Sequence, residues 1–489
     1  MKRLYNIGKI RLITAILLIT VFGSCEKFVD LEPENNTFNE AFWQDEKDAQ
    51  QGLAGAYALL RKSLHGGYYN DSYFVYGDVA AKEFSEAGDE SFPRYVLNQA
   101  RDLNFNSPGG YLEYTDWSSY YKVINQCNLI ISKVAGIPDG KFVNDPVKTR
   151  NRIIGEAYFL RAFTYFYISR VWGDVPLVLE LEDPVKAKNI PQTPAAQVLA
   201  QAIKDAEKAA ELLEYGYANA NEKAVRANKG AAYALLAHIY MWQGDAASGA
   251  QAALKVISEG GFSLVPTADY ARVFTGKTNE GIFEINKDFG QNEAPINAGF
   301  AYMCLKDPYI VGKNLASVVN KSLLTELYKD AGDIRINTFF ADYATSAPIC
   351  IKFSNVIYKE AATSTQPAVS NPLIIFRLAD IILLRAEALA KLGDYTGARV
   401  ELQKITDRAN AAPFSGTDDK LYEYIIDERT RELFMEGHRY YDIVRSGFLD
   451  KKLGMAGDRV SRKGYYWPIA NGVLNANRLL VQIPYWQNK

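Results

Sequence analysis

Residues 233–257 can be laid on residues 382–406 without a gap, and this internal repeat constrains the fold more than any other feature of the chain. Leu235 then matches Leu384, Ala237 matches Ala386, Gly244 and Asp245 match Gly393 and Asp394, Lys255 matches Lys404, and Val256 matches Ile405. Each copy reads as an apolar-periodic helix that stops at Gly, followed by a second helix that starts at Asp. Glycine tolerates the left-handed conformation that closes a helix, and an Asp side chain accepts from the free amides of the next first turn. Two short antiparallel helices with small residues at their contact form a tetratricopeptide-type pair. Such pairs stack, because one pair cannot bury its own apolar face. The copies are separated by the loop-rich stretch 260–371, and an insertion of that length is usually functional.

Apolar residues recur at helical spacing over 49–64, 117–134, 153–171, 195–213, 229–243, 246–258, 375–392, 395–409, 421–436 and 439–444. Strand-like runs are few, at 281–286, 349–353, 175–179 and 481–484. The expected fold is mainly α: a tetratricopeptide-like helical repeat scaffold with long loop-rich insertions and few short strands.

The net charge of −2 comes with no basic cluster, which argues against nucleic acid as a partner. The three histidines, His65, His238 and His438, lie outside helical ligand spacing of one another, so the spacing offers no zinc motif. Cys127, Cys304 and Cys350 are widely spaced and odd in number, and read as buried thiols rather than a disulfide framework. The acidic stretch 78–90 lacks the ordered oxygen-ligand spacing of a calcium loop. No metal and no cofactor is expected. Aromatics are abundant, with 32 Tyr, 24 Phe and 6 Trp, and most of them are needed to fill a helical core.

The first residues carry Lys2, Arg3, Lys9 and Arg11 without an acid, 12–22 are almost wholly apolar, and Gly23 and Ser24 precede Cys25. That order is a secretory leader, with Cys25 where a lipoprotein signal peptidase would cut. Phe22 stands where Leu is commonest in that motif. An uncleaved anchor is the alternative reading, but the apolar run falls well short of the ~20 residues that a bilayer span needs. Acylation of Cys25 would anchor the chain to a membrane, each buried methylene contributing about 0.8 kcal/mol.

Two stretches carry aromatics among Gly, Pro and Asn, namely 65–108 and 291–313. Aromatics raised on loops above a rigid scaffold are candidate ligand contacts. The candidates are Tyr68, Tyr69, Tyr73 and Tyr76 in the first stretch, with Asp78 as polar partner, and Tyr302 and Tyr309 in the second. Packing beneath their own loops is the competing explanation for each.

Near the C-terminal end, Glu428 and Glu432 lie one helical turn apart, as do Arg439 and Asp442, with Arg445 a turn further on. Opposite charges so placed can pair along and between helices. A carboxylate enzyme built on Glu428, Glu432 and Glu436 is disfavoured, because Arg429, Arg431 and Arg439 would keep those acids ionised, whereas a general acid needs a raised pKa.

Several segments together resemble the SusD/RagB outer-membrane lipoproteins of Bacteroidetes. Residues 25–33 (CEKFVDLEP) look like the family's lipidated start, and 161–167 (RAFTYFY) leading to 172–177 (WGDVPL) is similar to its first long helix and exit. Residues 371–377 (NPLIIFR) with 384–388 (LRAEA) resemble its repeat helix, 428–445 (ERTRELFMEGHRYYDIVR) its most diagnostic run, and 466–470 (YWPIA) through Asn477 its closing segment. The resemblance implies a leader over 1–24 and one SusD-like domain over 25–489, with a tail at 25–44 and insertions at 65–108 and 260–371. It implies a binding protein rather than an enzyme: an exterior-facing outer-membrane lipoprotein that captures an oligosaccharide and passes it to a SusC-like TonB-dependent transporter, over which it sits as a lid. A peptide-binding member of the same family is an alternative. A secreted glycoside hydrolase using Glu83 and Glu86, or a scaffold that binds only protein, are rivals from other classes.

Overall fold

The computed structural model describes residues 42–65, 71–85, 99–103, 114–180 and 189–487. Cys25, Tyr68, Tyr69 and Glu86 lie outside these residues.

Eight helices form four consecutive hairpins: α1 (Glu46–Leu64) with α2 (Ser118–Val134), α3 (Pro146–Trp172) with α4 (Ala195–Leu212), α5 (Lys229–Gln243) with α6 (Ala246–Glu259), and α7 (Leu378–Lys391) with α8 (Tyr395–Arg408). Local chemistry sets their ends. Asp45, Asp145 and Asn228 cap α1, α3 and α5, each side chain accepting from a backbone amide of the first turn. Gly244 and Gly393 close α5 and α7 at φ 87° and 81°, and Asp245 and Asp394 then accept from the amides of Ser248 and Gly397. Open space surrounds both glycines, so the left-handed backbone alone calls for Gly there. The two repeat copies pack directly on each other through α6 and α7, and the residues between them are looped out of the stack. A buried bidentate pair between Arg161 and Asp205, at 2.7 Å through both nitrogens, joins α3 to α4, and Arg161 also donates to Asn128 of α2.

After α8 come α9 (Asp418–Glu432) and α10 (Arg439–Ser446), separated by a sharp turn in which Met435 and Gly437 have φ 58° and 77°. The run expected as one helix to residue 436 therefore stops at Glu432.

Three two-stranded antiparallel ribbons accompany the helices: β1 (Gly281–Ile285) with β6 (Leu373–Arg377), β2 (Phe340–Ala341) with β3 (Ile349–Cys350), and β4 (Val356–Glu360) with β5 (Thr365–Val369). The expected helix over 375–392 is thus a strand followed by a helix. Leu373–Arg377 is buried throughout, and a continuous apolar run has no period by which to tell a buried strand from a buried helix. Residues 175–179 contribute only a bridge between Val175 and Thr193, and 481–484 form no strand. The β4–β5 hairpin went unread because β4 is a mostly exposed strand and β5 carries Pro367.

The core runs along α3. Phe159 and Phe163 meet Phe283 of β1 edge-on, and Phe163 meets Phe376 of β6 in the same way, so this ribbon is seated on the longest helix. At the far end of α3, Trp172 donates to the carbonyl of Pro468, and the amide of Trp467 donates to Val171, which pins the closing segment. Among the described residues no helix is long and apolar enough to cross a membrane.

On β1, Glu284 is buried with the Lys277 amide as donor to one oxygen and no partner for the other. Burial pushes its carboxyl up to about 7. Between the ordinary Glu value and that point the folded chain keeps a proton that the unfolded chain has released, so its contribution to stability falls as pH rises. Glu284→Gln is therefore expected to gain on the wild type by roughly 1–3 kcal/mol between about pH 5 and pH 8. Urea unfolding at the two pH values checks this, and a pH-independent difference contradicts it.

Candidate ligand-binding face

The charged run 428–445 builds a buried ion network, and its partners come from distant segments. Five cations, Arg335, Lys352, Arg377, Arg408 and Arg431, face five carboxylates, Glu280, Asp333, Glu428, Glu432 and Glu436. Arg377, at the end of β6, bonds Glu280 at 2.8 Å, Glu432 at 2.7 Å and both oxygens of Glu436 at 2.6 and 2.8 Å. Arg408 pairs with Glu280 and Glu432, and Tyr270 donates to Glu432 as well. Burial by itself would raise the pKa of Glu432, but Arg408, Arg377 and Arg335 outweigh it and hold the group well below the usual carboxylate range. Glu428 and Glu436 are also lowered against burial, the first by Arg335 and Arg431 and the second by Arg377 and Lys352. These acids are held ionised, as expected, but not by the expected trio. Arg431 does pair with Glu428; Arg429 instead bonds Asp380 and Asp442, and Arg439 pairs with none of the three.

Beside this network His238 Nε2 lies 2.7 Å from Asp380, and the His438 ring stacks on His238 with centroids 5.7 Å apart. The three side chains offer donor atoms within 4.8 Å of one another, a grouping that sequence spacing alone does not reveal. Arg429 already occupies the other oxygen of Asp380, and burial lowers both histidines, His438 to about 4. The geometry is that of neutral imidazoles bonded within a structural cluster.

The structure corrects three of the candidate contacts. Tyr73, Tyr76 and Asp78 are 3%, 1% and 0% exposed, on a helical turn over Ser72–Phe74 that continues as a π-helical turn over Val75–Val79. The Tyr73 hydroxyl donates to the carbonyl of Glu436 at 2.9 Å, and the Tyr76 hydroxyl to that of Tyr114 at 2.8 Å. Asp78 accepts from the Gly437 amide, and Glu83 from the Met435 amide. This part of the first insertion is a plug that fixes the turn between α9 and α10. Tyr73, Tyr76 and Ala80 follow helical spacing, a signal of burial hidden by the surrounding Gly and Tyr. Glu83, a hydrolase candidate, is equally buried, and desolvation raises its pKa.

The second insertion behaves differently. Tyr302 and Tyr309 are half-buried, near the exposed Val311. Lys313 Nζ lies 4.6 Å from the centre of the Tyr302 ring and is held there by the carbonyls of Leu305 and Asn314. The β4–β5 hairpin joins this loop: the Val311 amide donates to the Tyr358 hydroxyl at 3.0 Å, the Asn297 amide to the carbonyl of Pro367 at 2.8 Å, and Ile296 bridges Ala368. The result is a surface bearing three half-buried tyrosines and the exposed Ile296, Val311 and Ile357. Tyr358 was missed because its strand was missed.

Comparison with known proteins accords with this architecture. A family model described as "SusD family" matches residues 325–486, and one described as "Starch-binding associating with outer membrane" matches residues 27–241. The chain belongs to the SusD/RagB family. The SusD-like protein P38 of Formosa agariphila is 29% identical over 99% of this chain and 100% of its own length. A SusD superfamily protein of Bacteroides thetaiotaomicron superposes with a TM-score of 0.77 at 26% identity, covering 91% of this chain and 99% of the other. A laminarin-binding SusD-like protein shares the fold with a TM-score of 0.73 at 23% identity, covering 91% and 100%. SusD-like proteins are helical, tetratricopeptide-like binding proteins rather than enzymes, and the family supports association with the outer membrane.

In this SusD-family chain the ion network carries the fold. Breaking a buried pair leaves an uncompensated charge, and Arg377 serves three carboxylates at once. Arg377→Met is therefore expected to cost roughly 3–5 kcal/mol or to prevent folding, whereas Lys451→Met, at a solvent-exposed pair with Glu423, is expected to leave stability essentially unchanged. Urea denaturation of both variants tests the contrast.

Proposed function

We propose that this chain is a surface glycan-binding lipoprotein that captures an oligosaccharide and hands it to a SusC-like TonB-dependent transporter, acting as its lid. In this reading the leader 1–24 is removed, Cys25 is acylated, and a single domain over 25–489 faces the cell exterior from the outer membrane. Family membership supports the glycan role and the association with the outer membrane. One fold neighbour is itself a laminarin-binding protein.

The observation that carries the reading is the aromatic surface of the second insertion. Pyranose rings present apolar C–H faces and a rim of hydroxyls, so a site for them combines Tyr faces with nearby polar groups. Tyr302, Tyr309 and Tyr358 supply the first, and Lys313 and Asn297 the second. Tyr358 stands on a ribbon and Tyr302 on a short turn anchored to the core, so little conformational freedom of these two is lost on binding. Buried Tyr73, Tyr76 and Asp78 play no direct part. For the transporter, the repeat helices leave Leu254, Leu392 and Val400 exposed, apolar points from which a docking face can be built.

Affinity electrophoresis of the mature chain against soluble starch, laminarin, further polysaccharides and a peptide pool tests the reading. At least one polysaccharide is expected to retard the chain, with Tyr302→Ala and Tyr358→Ala each weakening binding by about tenfold and Tyr76→Phe leaving it unchanged. Retardation by peptides alone would move the function to the peptide-binding branch. Loss of neither polysaccharide contact on either substitution would place the site elsewhere.

A further inference from the structure

Asp71 is fully buried and holds a left-handed backbone at φ 75°, a conformation that Asp adopts more readily than most non-glycine residues. Its carboxylate gathers donors from three separate segments. Oδ1 pairs with Nδ1 of His65, the residue that ends α1, and lies 3.4 Å from Nζ of the buried Lys287, just beyond β1. Oδ2 accepts from the amide of Phe300 at 2.9 Å, and the Asp71 amide donates to the carbonyl of His65 at 3.0 Å. A Cβ on Gly299, whose φ is 99°, would stand 2.9 Å from Asp71 Oδ2. The carboxylate therefore fills the space that a side chain at 299 would need.

Phe300 opens the turn Phe300–Met303, which carries Tyr302. Its ring is already held by Phe84, edge-on with centroids 4.7 Å apart, and by Phe74. Apolar packing of one ring holds the turn against the core but does not fix its rotation, because dispersion contacts are not directional. A charge-assisted hydrogen bond to the first amide of the turn is directional. Lys287, which shares the carboxylate, also accepts at its carbonyl from the Ser370 hydroxyl at 2.7 Å, at the end of β5. The same hub thus touches both sides of the tyrosine surface.

We infer that Asp71 is a positioning residue for the ligand face: through the Phe300 amide it sets where Tyr302 stands relative to Lys313 and Tyr358. This rests on the glycan reading of that face. Asp71 does not touch the ligand, so its effect passes through Tyr302.

A double-mutant cycle on the purified chain tests it, with laminarin and soluble starch as probes. Asp71→Asn is expected to speed hydrogen exchange of the amides at 299–304 and to weaken binding by about tenfold, while in the Tyr302→Ala background it weakens binding no further. Gly299→Ala, which pushes the turn off the carboxylate but keeps the His65 and Lys287 pairs, is expected to act in the same way and serves if Asp71→Asn fails to fold. Unchanged exchange at 299–304, or losses that add fully in the double variant, overturns the inference. If the wild-type chain binds neither polysaccharide, the glycan reading fails on these probes, and the exchange measurement still decides whether Asp71 orders the turn.

Discussion

Glu432 and Arg377 sit where the chain closes on itself. Arg377 ends the strand that leads into the second repeat copy, Glu432 ends α9, and both are removed from water. Around them five cations meet five carboxylates drawn from the second insertion, the β1–β6 ribbon, α8 and α9. Each ion would be costly alone, and together they pair through hydrogen bonds in fixed directions. Apolar packing could be met by several arrangements of these helices, whereas a network with this many directional contacts admits few. The insertion is therefore held as part of the body, because Asp333, Arg335 and Lys352 lie within it.

A division of labour follows. The four hairpins supply a rigid stack, the plug over Ser72–Val79 secures the turn between α9 and α10, and the second insertion brings the half-buried Tyr302, Tyr309 and Tyr358 to a surface. The same residue type serves both purposes. Tyr73 and Tyr76 place their hydroxyls on backbone carbonyls inside the core, while Tyr302 and Tyr309 keep part of their rings exposed. Tyrosine suits both settings because it joins a large apolar face to one polar tip.

Much of the scaffold was legible because its determinants are local. Helical periodicity placed α1 to α6 within a few residues at most ends, and the Gly-Asp pairs at 244–245 and 393–394 located both repeat turns and their caps. What escaped was set at long range. The apolar run at 373–377 becomes a strand because β1 pairs with it, and the acids of α9 find Arg335, Lys352, Arg377 and Arg408 from segments up to about a hundred residues away. In the first insertion the Gly and Tyr content leaves ligand contact and packing both open for Tyr73 and Tyr76, although their i, i+3 spacing fits a buried turn. Composition indicates that aromatics are available, and only the fold decides which of them face solvent.

The central claim is that a charge-locked helical body presents its ligand surface on the second insertion. Hydrogen exchange of the chain with and without a bound polysaccharide tests this most directly. The account predicts added protection confined to 296–313 and the β4–β5 hairpin, with the amides of α3 and α9 unchanged. Protection that falls instead on the repeat helices, with 296–313 unaffected, would contradict it.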